Sequence, residues 1–385
     1  MNMASDSSSS SIENDGPSSS IEKDPPSSIA SNRPSSSVSV DPYPFVSVIL
    51  PVLNEAAYLA GAVEPILTGD YPADRMEILV VDGGSADGTR ALAERLAWRD
   101  GRVRLLDNPR RTTPAALNVG IGAARGEVIV RMDGHARPAP DYVRACVAAL
   151  GRTGAWAVGG LMVGIGETDF GRAVALATRT PLGAGDARFR LAVMAGPTDT
   201  VYLGAWPRSV FDRVGLFDER LVRNQDYELC IRIRRAGGLV WLEPAIRSET
   251  VMRSNPWALA RQYFLYGQGR SATLVLHPGS LRRRQAVPAL FVAMLVGLGL
   301  VALAGAPHWI PARLLLAGIA VAYAVAMILQ VLVLASVRGR PSPDLAALFR
   351  LPLAYFIIHI TWGAGFWWGL ARALAGVGVR IRRPA

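Results

Sequence analysis

Two short apolar runs decide the fold of this chain: FVSVILPV at residues 45–52 and MEILVV at residues 76–81. Both are rich in β-branched residues, as is typical of strands that are buried on both faces of a parallel sheet. The residues between them, from 55 to about 67, are predicted to form a helix. A strand, a helix and a second strand in this order predict the beginning of an α/β fold with a mostly parallel sheet.

The alternation of strands and helices continues along the chain. The next predicted elements are a helix from Asp87 to about residue 98, a strand at 103–106, a helix at 113–124 and a strand at 127–132. The less regular part that follows has predicted strands near 156–163, 200–206 and 239–243, and a polar turn and helix within 221–235. Ligands bind beyond the carboxyl ends of the strands in such sheets, so the polar clusters found there are candidate site residues.

The positive charge of the chain is concentrated in its C-terminal third. The 385 residues carry a formal net charge of +10, and half of them are hydrophobic. Residues 281–385 hold eleven Arg and one acidic residue, whereas residues 1–280 are neutral overall. This distribution argues against a nucleic-acid-binding protein and favours a membrane anchor with basic flanks. Two cysteines, Cys146 and Cys230, exclude a disulfide framework and fit a reducing compartment.

Composition divides the chain into five segments. Residues 1–44 are Ser-rich and of low complexity, and we predict a disordered tail because they cannot bury enough apolar surface to offset the entropy of ordering. The other predicted segments are an α/β domain at 45–255, an interfacial amphipathic segment at 256–285, a membrane region at 286–375 and a basic tail at 376–385.

Three apolar runs lie in the predicted membrane region, at 286–304, 314–335 and 351–371. Each is long enough to cross a hydrocarbon core of about 30 Å. Three arginines before the first run place the α/β domain in the cytosol, and the basic loop after the second run agrees. The basic tail conflicts with a third crossing, so either that tail is translocated or the third run is re-entrant or interfacial.

Four polar clusters follow predicted strands or begin a predicted helix. The first contains Pro51, Asn54 and Glu55. The others are Asp82-Gly83-Gly84-Ser85, Asp133-Gly134-His135 and a segment from Asn224 to Glu228 that includes Asp226.

The order and spacing of these clusters resemble family 2 glycosyltransferases of the GT-A fold over about residues 45–270. The resemblance is strongest in SVILPVLNE (47–55), VDGGSADGT (81–89), NVGIGAARGEVIVRMDGHA (118–136) and GLFDERLVRNQDYELCIRIRRAGG (215–238). Within the family, the chain is similar to the succinoglycan-type, ExoA-like transferases, which share an Asp-x-His pair in place of the commoner Asp-x-Asp and a C-terminal membrane region. The expected fold is therefore a GT-A, Rossmann-like α/β domain followed by transmembrane helices.

The resemblance implies that the first two clusters bind a nucleotide sugar. Glu55 suits the ribose hydroxyls, or alternatively is only a first-turn acid beside a helix dipole. Asp82 is expected to accept an N–H of a pyrimidine base, and Gly83 and Gly84 allow a ligand to approach the backbone closely. The alternative is a plain strand–turn–helix connection, with Asp87 as the helix N-cap in either case.

The third cluster is expected to hold a divalent cation. A nucleotide sugar leaves as a diphosphate, and a cation on Asp133 and His135 would neutralise the charge that develops. Carboxylate oxygen suits Mg²⁺ or Mn²⁺, whereas an imidazole suits Mn²⁺ better. His135 is expected to bind the metal or, alternatively, to contact phosphate while Asp133 alone is the ligand.

The resemblance makes Asp226 the general base that takes the proton of the acceptor hydroxyl, with inversion at the sugar. The alternative is a helix N-cap, and Glu228 is interpreted as a supporting acid in the first turn. Three weaker candidates remain. Gly204 and Ala205 resemble a segment beside the donor or acceptor but fit a packed strand equally well. Arg253 could clamp diphosphate or, alternatively, seat the helix that follows on the membrane.

The predicted function is a membrane-anchored, metal-dependent, inverting hexosyltransferase of the bacterial inner membrane, with a cytoplasmic catalytic domain. Its expected donor is a nucleotide sugar, by preference a UDP-sugar, and its expected acceptor is a polyprenyl-diphosphate-linked saccharide of an exopolysaccharide or surface glycan. The alternatives are a polyprenyl-phosphate glycosyltransferase, a non-catalytic membrane scaffold with a degenerate nucleotide-binding fold, and a polysaccharide-exporting synthase, for which three apolar segments are too few.

Overall fold

The computed structural model describes residues 43–191, 194–304, 309–336 and 344–376. The predicted Ser-rich and basic tails lie almost wholly outside these residues. The strands are β1 (Val46–Val52), β2 (Met76–Asp82), β3 (Val103–Asp107), β4 (Val128–Arg131), β5 (Ala136–Pro138), β6 (Ala157–Ile165), β7 (Gly196–Pro197), β8 (Ala205–Pro207) and β9 (Val240–Val251).

Thirteen helices are present in the described residues. Those up to residue 235 are α1 (Leu59–Leu67), α2 (Thr89–Arg99), α3 (Thr113–Ala123), α4 (Tyr142–Thr153), α5 (Asp169–Ala177), α6 (Pro181–Ala184), α7 (Arg188–Leu191), α8 (Ser209–Val214) and α9 (Gln225–Arg235). The remaining four are longer and are α10 (Pro256–Leu276), α11 (Arg283–Leu303), α12 (Trp309–Ser336) and α13 (Leu345–Leu374).

All nine strands form one mixed sheet in the order β3-β2-β1-β4-β8-β6-β9-β5, with β7 also paired to β9. The first four are parallel, as the alternation of strands and helices predicts. Beyond β4 the sheet becomes mixed: β8 is antiparallel to both β4 and β6, and β9 is parallel to β6 but antiparallel to β5 and β7.

The central strands are apolar throughout because the sheet has a core on each face. Val48 and Leu50 of β1 face the core formed with α1, α2 and α4. Ile49 between them faces the second core, where it packs with residues of α3 and α9. Burial on both faces therefore produces the uninterrupted apolar runs of the sequence.

Two helix starts differ from the sequence-based predictions. Helix α2 begins at Thr89 with Gly88 at the N-cap in the left-handed conformation (φ 91°), so the prediction of Asp87 as N-cap is wrong. Asp87 instead accepts hydrogen bonds from the Thr89 hydroxyl and from the backbone N–H of Ala56. Asn224 occupies the N-cap position of α9 with φ 62°, which places Asp226 inside the helix and excludes the N-cap alternative for it.

Three of the described helices are long and apolar enough to cross a membrane, namely Arg283–Leu303, Ile310–Ser336 and Leu345–Leu374. They contain the three apolar runs that the sequence indicates. Helix α10 precedes them and packs with α13 and α5 through an apolar cluster that includes Leu259, Tyr263 and Tyr355.

Candidate active site

The loops that follow β1 and β2 are joined by hydrogen bonds at the carboxyl edge of the sheet. The backbone N–H of Asn54 donates to the Ser85 hydroxyl at 2.9 Å, and the Asn54 side-chain oxygen accepts from Ala86 N–H at 2.9 Å. Asn54 adopts a left-handed conformation (φ 57°), which turns the chain out of β1. The first two predicted clusters thus form a single structural unit.

Asp82 holds the turn that begins the second cluster. Its buried carboxylate accepts hydrogen bonds from the Ser85 hydroxyl at 2.6 Å and from the backbone N–H groups of Gly84 and Ser85 at 3.2 Å. Gly84 takes φ +75° in this turn, a conformation that favours glycine. A direct contact between Asp82 and a base remains a prediction, whereas its contribution to the shape of the loop is seen in the structure.

The first cluster also contacts the third. His135 Nδ1 lies 2.9 Å from Glu55 Oε1, which links the loop after β1 to the loop after β4. Burial disfavours the charged imidazole, but the hydrogen bond to Glu55 and the charge of Asp133 outweigh it and raise the pKa of His135. Gly134 makes this approach possible, because a Cβ there would lie 2.8 Å from the side chain of Val52.

Arg131 connects the two carboxylates that the sequence assigns to chemistry. At the end of β4, its guanidinium donates to Asp133 Oδ1 through Nε at 3.0 Å and Nη2 at 2.8 Å. Its Nη1 lies 3.9 Å from Asp226 Oδ2. The Arg131 side chain is only 7% exposed, and Nη1 has no hydrogen-bond partner within the described ranges.

The two carboxyl groups differ in protonation behaviour because their contacts differ. Burial opposes ionisation of Asp133, yet the charge of Arg131 and its hydrogen bonds outweigh burial and lower the pKa of Asp133. For Asp226 burial prevails over the more distant Arg131 and raises the pKa. The contacts of Asp133 therefore favour its ionised form, whereas the surroundings of Asp226 favour acceptance of a proton.

A cavity extends from the third cluster toward α10. Asp133 and His135 line one side of it, and Tyr263 and Tyr266 of α10 line another. Three arginines also line it, Arg190, Arg223 and Arg253, together with uncharged residues. None of the three forms an ion pair with a carboxylate in the part of the chain that the structure describes, so the cavity presents unneutralised positive charge.

Comparison with known proteins identifies the family. A profile of glycosyl transferase family 2 matches residues 47–204. The succinoglycan biosynthesis protein ExoA of Rhizobium meliloti (strain 1021) is 31% identical over 322 residues, which cover 83% of this chain and 93% of that protein. The chain belongs to glycosyl transferase family 2. The predicted membership and the predicted similarity to ExoA-like proteins are thereby confirmed.

Two further relatives are informative about this transferase fold. A dolichyl N-acetyl-alpha-D-glucosaminyl phosphate 3-beta-D-2,3-diacetamido-2,3-dideoxy-beta-D-glucuronosyltransferase of Methanococcus voltae is 26% identical over 262 residues, covering 66% of this chain and 81% of that protein. A mannosyltransferase structure from Pyrobaculum calidifontis, in complex with GDP-Man and Mn²⁺, superposes with a TM-score of 0.55 at 21% identity and covers 84% of this chain and 88% of that one. The GT-A-like fold is confirmed by this similarity.

The weaker candidates of the sequence have different surroundings. Ala205 is fully buried in β8, where it pairs with Val130, as the packed-strand alternative expects. The carbonyl of Gly204 accepts from the backbone N–H of Arg131 at 2.9 Å, which fixes this segment to β4, and a contact of Gly204 with donor or acceptor stays a prediction. Arg253 does line the cavity beside Asp133 and His135.

The residues present fit a divalent cation that is bound together with diphosphate. Within the described ranges, no group of three or more His, Cys, Asp and Glu side chains could hold a metal ion. Asp133 and His135 nevertheless line one cavity, and the contact of His135 Nδ1 with Glu55 leaves Nε2 available, an arrangement common in metal-binding histidines. A cation held by these two residues would need further ligands, which a donor diphosphate could supply.

Sequence reasoning missed Arg131, Arg190 and Arg223. Arg131 could have been noticed, because it is the single basic residue in the apolar run EVIVRM and a buried guanidinium requires carboxylate partners. Arg190 lies in the short helix α7, and Arg223 immediately precedes the Asn224–Glu228 cluster, where attention went to the acidic residues. Only the fold brings them to the cavity.

Proposed function

We propose that this family 2 glycosyltransferase transfers a hexose, with inversion, from a nucleotide sugar to a polyprenyl-diphosphate-linked saccharide. The preferred donor is a UDP-hexose, and the product belongs to an exopolysaccharide or surface glycan. The observation that carries the proposal is the cavity in which Asp133 and His135 face three unpaired arginines and the tyrosines of α10.

The donor is assigned to the carboxyl edge of the sheet. The joined loops of Asn54 and Ser85 would receive the nucleoside, with Glu55 and Asp82 as its polar contacts. Asp133 and His135 would hold a divalent cation, which neutralises the departing diphosphate when bound. The sugar then lies near Asp226, because Arg131 holds Asp226 and Asp133 on either side of one guanidinium.

The acceptor is assigned to the side of the cavity that faces α10. Arginine side chains recognise phosphate oxygens well, and Arg190, Arg223 and Arg253 have no competing carboxylate partners in the described structure. The apolar cluster of α10, α5 and α13 lies beside this cavity, next to the helices that can cross a membrane. A diphosphate with a polyprenyl chain fits both surfaces, and membrane attachment raises its effective concentration.

The chemical step is a direct displacement at the anomeric carbon. Asp226 accepts the proton of the acceptor hydroxyl as that oxygen attacks, and the bond from the anomeric carbon to the diphosphate oxygen breaks. A raised pKa suits this role, because proton transfer is most efficient when the pKa of the base lies near the working pH. Attack opposite the leaving group inverts the configuration.

The direct test is a donor and acceptor screen with the full-length protein in detergent. Released nucleotide is measured with UDP- and GDP-sugars in the presence of Mn²⁺, with and without a polyprenyl-diphosphate saccharide. Acceptor-dependent release from one UDP-sugar supports the proposal. Release from no donor at any acceptor would favour the scaffold alternative.

A polyprenyl phosphate is the second candidate acceptor, and the Methanococcus voltae relative, whose name gives a sugar on dolichyl monophosphate as the acceptor, favours a monophosphate over a diphosphate on the lipid. The same screen separates the two acceptors. If polyprenyl phosphate accepts the sugar and the diphosphate-linked saccharide does not, the acceptor assignment above is wrong while the donor assignment stands.

Metal preference is expected to depend on His135. Chelation should abolish activity, and Mn²⁺ should restore at least as much activity as Mg²⁺, because imidazole is a poorer ligand for the harder ion. His135→Asp should shift the preference toward Mg²⁺. The measurement is nucleotide release in EDTA followed by metal titration. Full activity in EDTA would contradict the metal hypothesis, and an unchanged preference in the variant would exclude His135 as a ligand.

Arg223 is expected to act on the acceptor. Arg223→Gln should raise the KM for the lipid-linked acceptor roughly tenfold or more, because a hydrogen bond to a charged group contributes about 1.5–3 kcal/mol. Donor affinity should change little. The matched control is Arg261→Gln, which removes an exposed arginine of α10 outside the cavity. Equal effects of the two substitutions on acceptor KM would contradict a specific contact.

A further inference from the structure

The three long apolar helices have different surroundings. In their most apolar stretches, α11 and α12 bury only 11% and 6% of their residues, so most of their apolar side chains are at least partly exposed, although both helices also contact α13. The corresponding fraction of α13 is 39%. Largely exposed apolar helices are suited to lipid, whereas α13 is covered by protein along much more of its surface.

Both ends of α13 contact elements of the catalytic unit. At its beginning, the Asp344 carboxylate accepts from Arg172 of α5 at 2.6 Å, and Arg350 lies 3.3 Å from Asp169. Near its end, Gly369 is so close to α10 that a Cβ there would lie 2.2 Å from the Ser271 hydroxyl. This part of α10 adjoins the active site, because the guanidinium of Arg270 lies 4.3 Å from the ring centre of Tyr227 in α9.

The middle of α13 makes polar contacts with the same unit. The hydroxyls of Tyr355 and Thr180 lie 2.7 Å apart. His359 Nε2 lies 2.8 Å from the backbone carbonyl of Leu182 in α6. Contact with the catalytic unit is therefore made at the start, the middle and the end of the helix.

The length over which α13 contacts the catalytic unit decides whether this helix can cross the bilayer. Residues 344 to 369 span roughly 37 Å at 1.5 Å per residue, which exceeds the ~30 Å hydrocarbon core. If α13 crossed the bilayer, Asp344 and Gly369 would lie on opposite sides of it. Their partners, Arg172 and Ser271, belong to elements that pack on one apolar cluster and around one active site.

The outward side of α13 is a regular apolar stripe. Its large exposed side chains recur every three or four residues from Leu345 to Phe356, through Phe349 and Leu353, and Trp367, Trp368 and Leu374 are exposed nearer its end. The opposite side, with Leu351, Tyr355 and Phe366, is buried. Such a one-sided helix with Trp and Phe outward is typical of helices that lie in the plane of a membrane surface.

We infer that α13 does not cross the membrane but lies along the surface of the leaflet nearest the catalytic domain, with its apolar stripe in the lipid. The chain then crosses twice, through α11 and α12. Residues 377–385, which contain three Arg, follow on the catalytic side, where basic residues are favoured. The conflict between the basic tail and a third crossing disappears. This inference goes beyond the proposed function and does not depend on the donor or acceptor.

Sidedness is tested by labelling single cysteines of the full-length protein with a membrane-impermeant maleimide, in intact cells and in inverted vesicles. The positions are Ala375→Cys after α13, Ala304→Cys after α11, and Trp98→Cys on the catalytic domain. Cys146 and Cys230 are buried, which keeps background labelling low. We expect Ala375→Cys to be labelled from the same side as Trp98→Cys. Labelling from the Ala304→Cys side would overturn the inference.

Depth provides a second measurement that does not depend on maleimide access. Spin labels at Phe349→Cys, Phe356→Cys and Trp367→Cys are read in vesicles of phosphatidylcholine and phosphatidylglycerol, with Val296→Cys near the middle of α11 as the deep reference. An in-plane helix places all three labels at a similar shallow depth, within ~10 Å of the headgroups. A crossing helix places the Phe356→Cys label as deep as the Val296→Cys label, and that result would overturn the inference.

Discussion

Asp226→Asn is expected to lower kcat by about 10²–10⁴-fold, because the amide cannot accept the proton of the acceptor hydroxyl. This corresponds to roughly 3–5 kcal/mol of activation free energy. UDP affinity should barely change, since the nucleotide loops and the metal ligands lie on the other side of Arg131. The measurements are kcat, the Kd for UDP and a thermal melt.

Two structural observations limit the ways in which a loss of activity in Asp226→Asn can be explained. Asn224 holds the N-cap position of α9, so loss of a cap cannot account for a fall in activity. Glu228, the neighbouring acid, is buried and bonded to Arg232 and His277, both at 2.8 Å, so its carboxylate is already engaged and is the less suitable base.

Asp212→Asn is the matched control, because it removes an exposed carboxylate from α8, outside the lining of the cavity. A normal kcat in Asp226→Asn would show that the base lies elsewhere. Loss of UDP binding in the same variant would show that the donor site is misplaced. A fall in kcat with normal UDP binding and a normal melt is the result that the proposal requires.

The fold was predictable from the sequence where one physical constraint dominates. Burial on both faces gives β1 and β2 uninterrupted apolar runs, and parallel pairing brings the loops of Asn54 and Asp82 to one edge. The antiparallel insertion of β8 was not predictable, because a strand of three residues carries too little pattern.

The contacts within the site were less accessible to sequence reasoning. The Glu55–His135 contact joins residues from two separate loops, and no local rule pairs them. Hydropathy indicated three apolar helices but could not separate a lipid environment from a protein one, because both favour the same side chains. The environment of α13 therefore becomes visible only through contacts such as that of His359 with Leu182.

The second large effect is expected at Arg131. Replacing it with Met would leave Asp133 and Asp226 buried without their shared cation, and loss of one partner of a buried ion pair typically costs about 3–5 kcal/mol of folding stability. That variant is expected to fold poorly, so it serves only to show the structural cost. Arg131→Lys is the informative substitution, because it keeps the charge but loses the two-atom contact with Asp133.

Arg131→Lys is expected to fold, to lose about tenfold or more in kcat, and to shift the acidic limb of the kcat–pH profile to higher pH. The direction in which the acidic limb shifts follows from the contacts of Arg131. Burial raises the pKa of Asp226 and the charge of Arg131, whose Nη1 lies 3.9 Å away, opposes it, so a lysine that lacks this branch of the guanidinium lets that pKa rise further. Because the base acts when deprotonated, activity is then lost at a higher pH as the solution is acidified.

A purely structural role for Arg131 predicts a different result. Lower stability would reduce the amount of folded enzyme and leave the shape of the pH profile unchanged. The profile is therefore measured at saturating donor and acceptor, with the active fraction determined by UDP binding. Arg125→Lys is the matched control, since Arg125 also pairs with a buried acid, Glu77, at 3.0 Å, but lies at the opposite end of the sheet strands. A shifted acidic limb in Arg131→Lys alone would identify Arg131 as the residue that tunes the proposed base, Asp226, in addition to its bonds with Asp133.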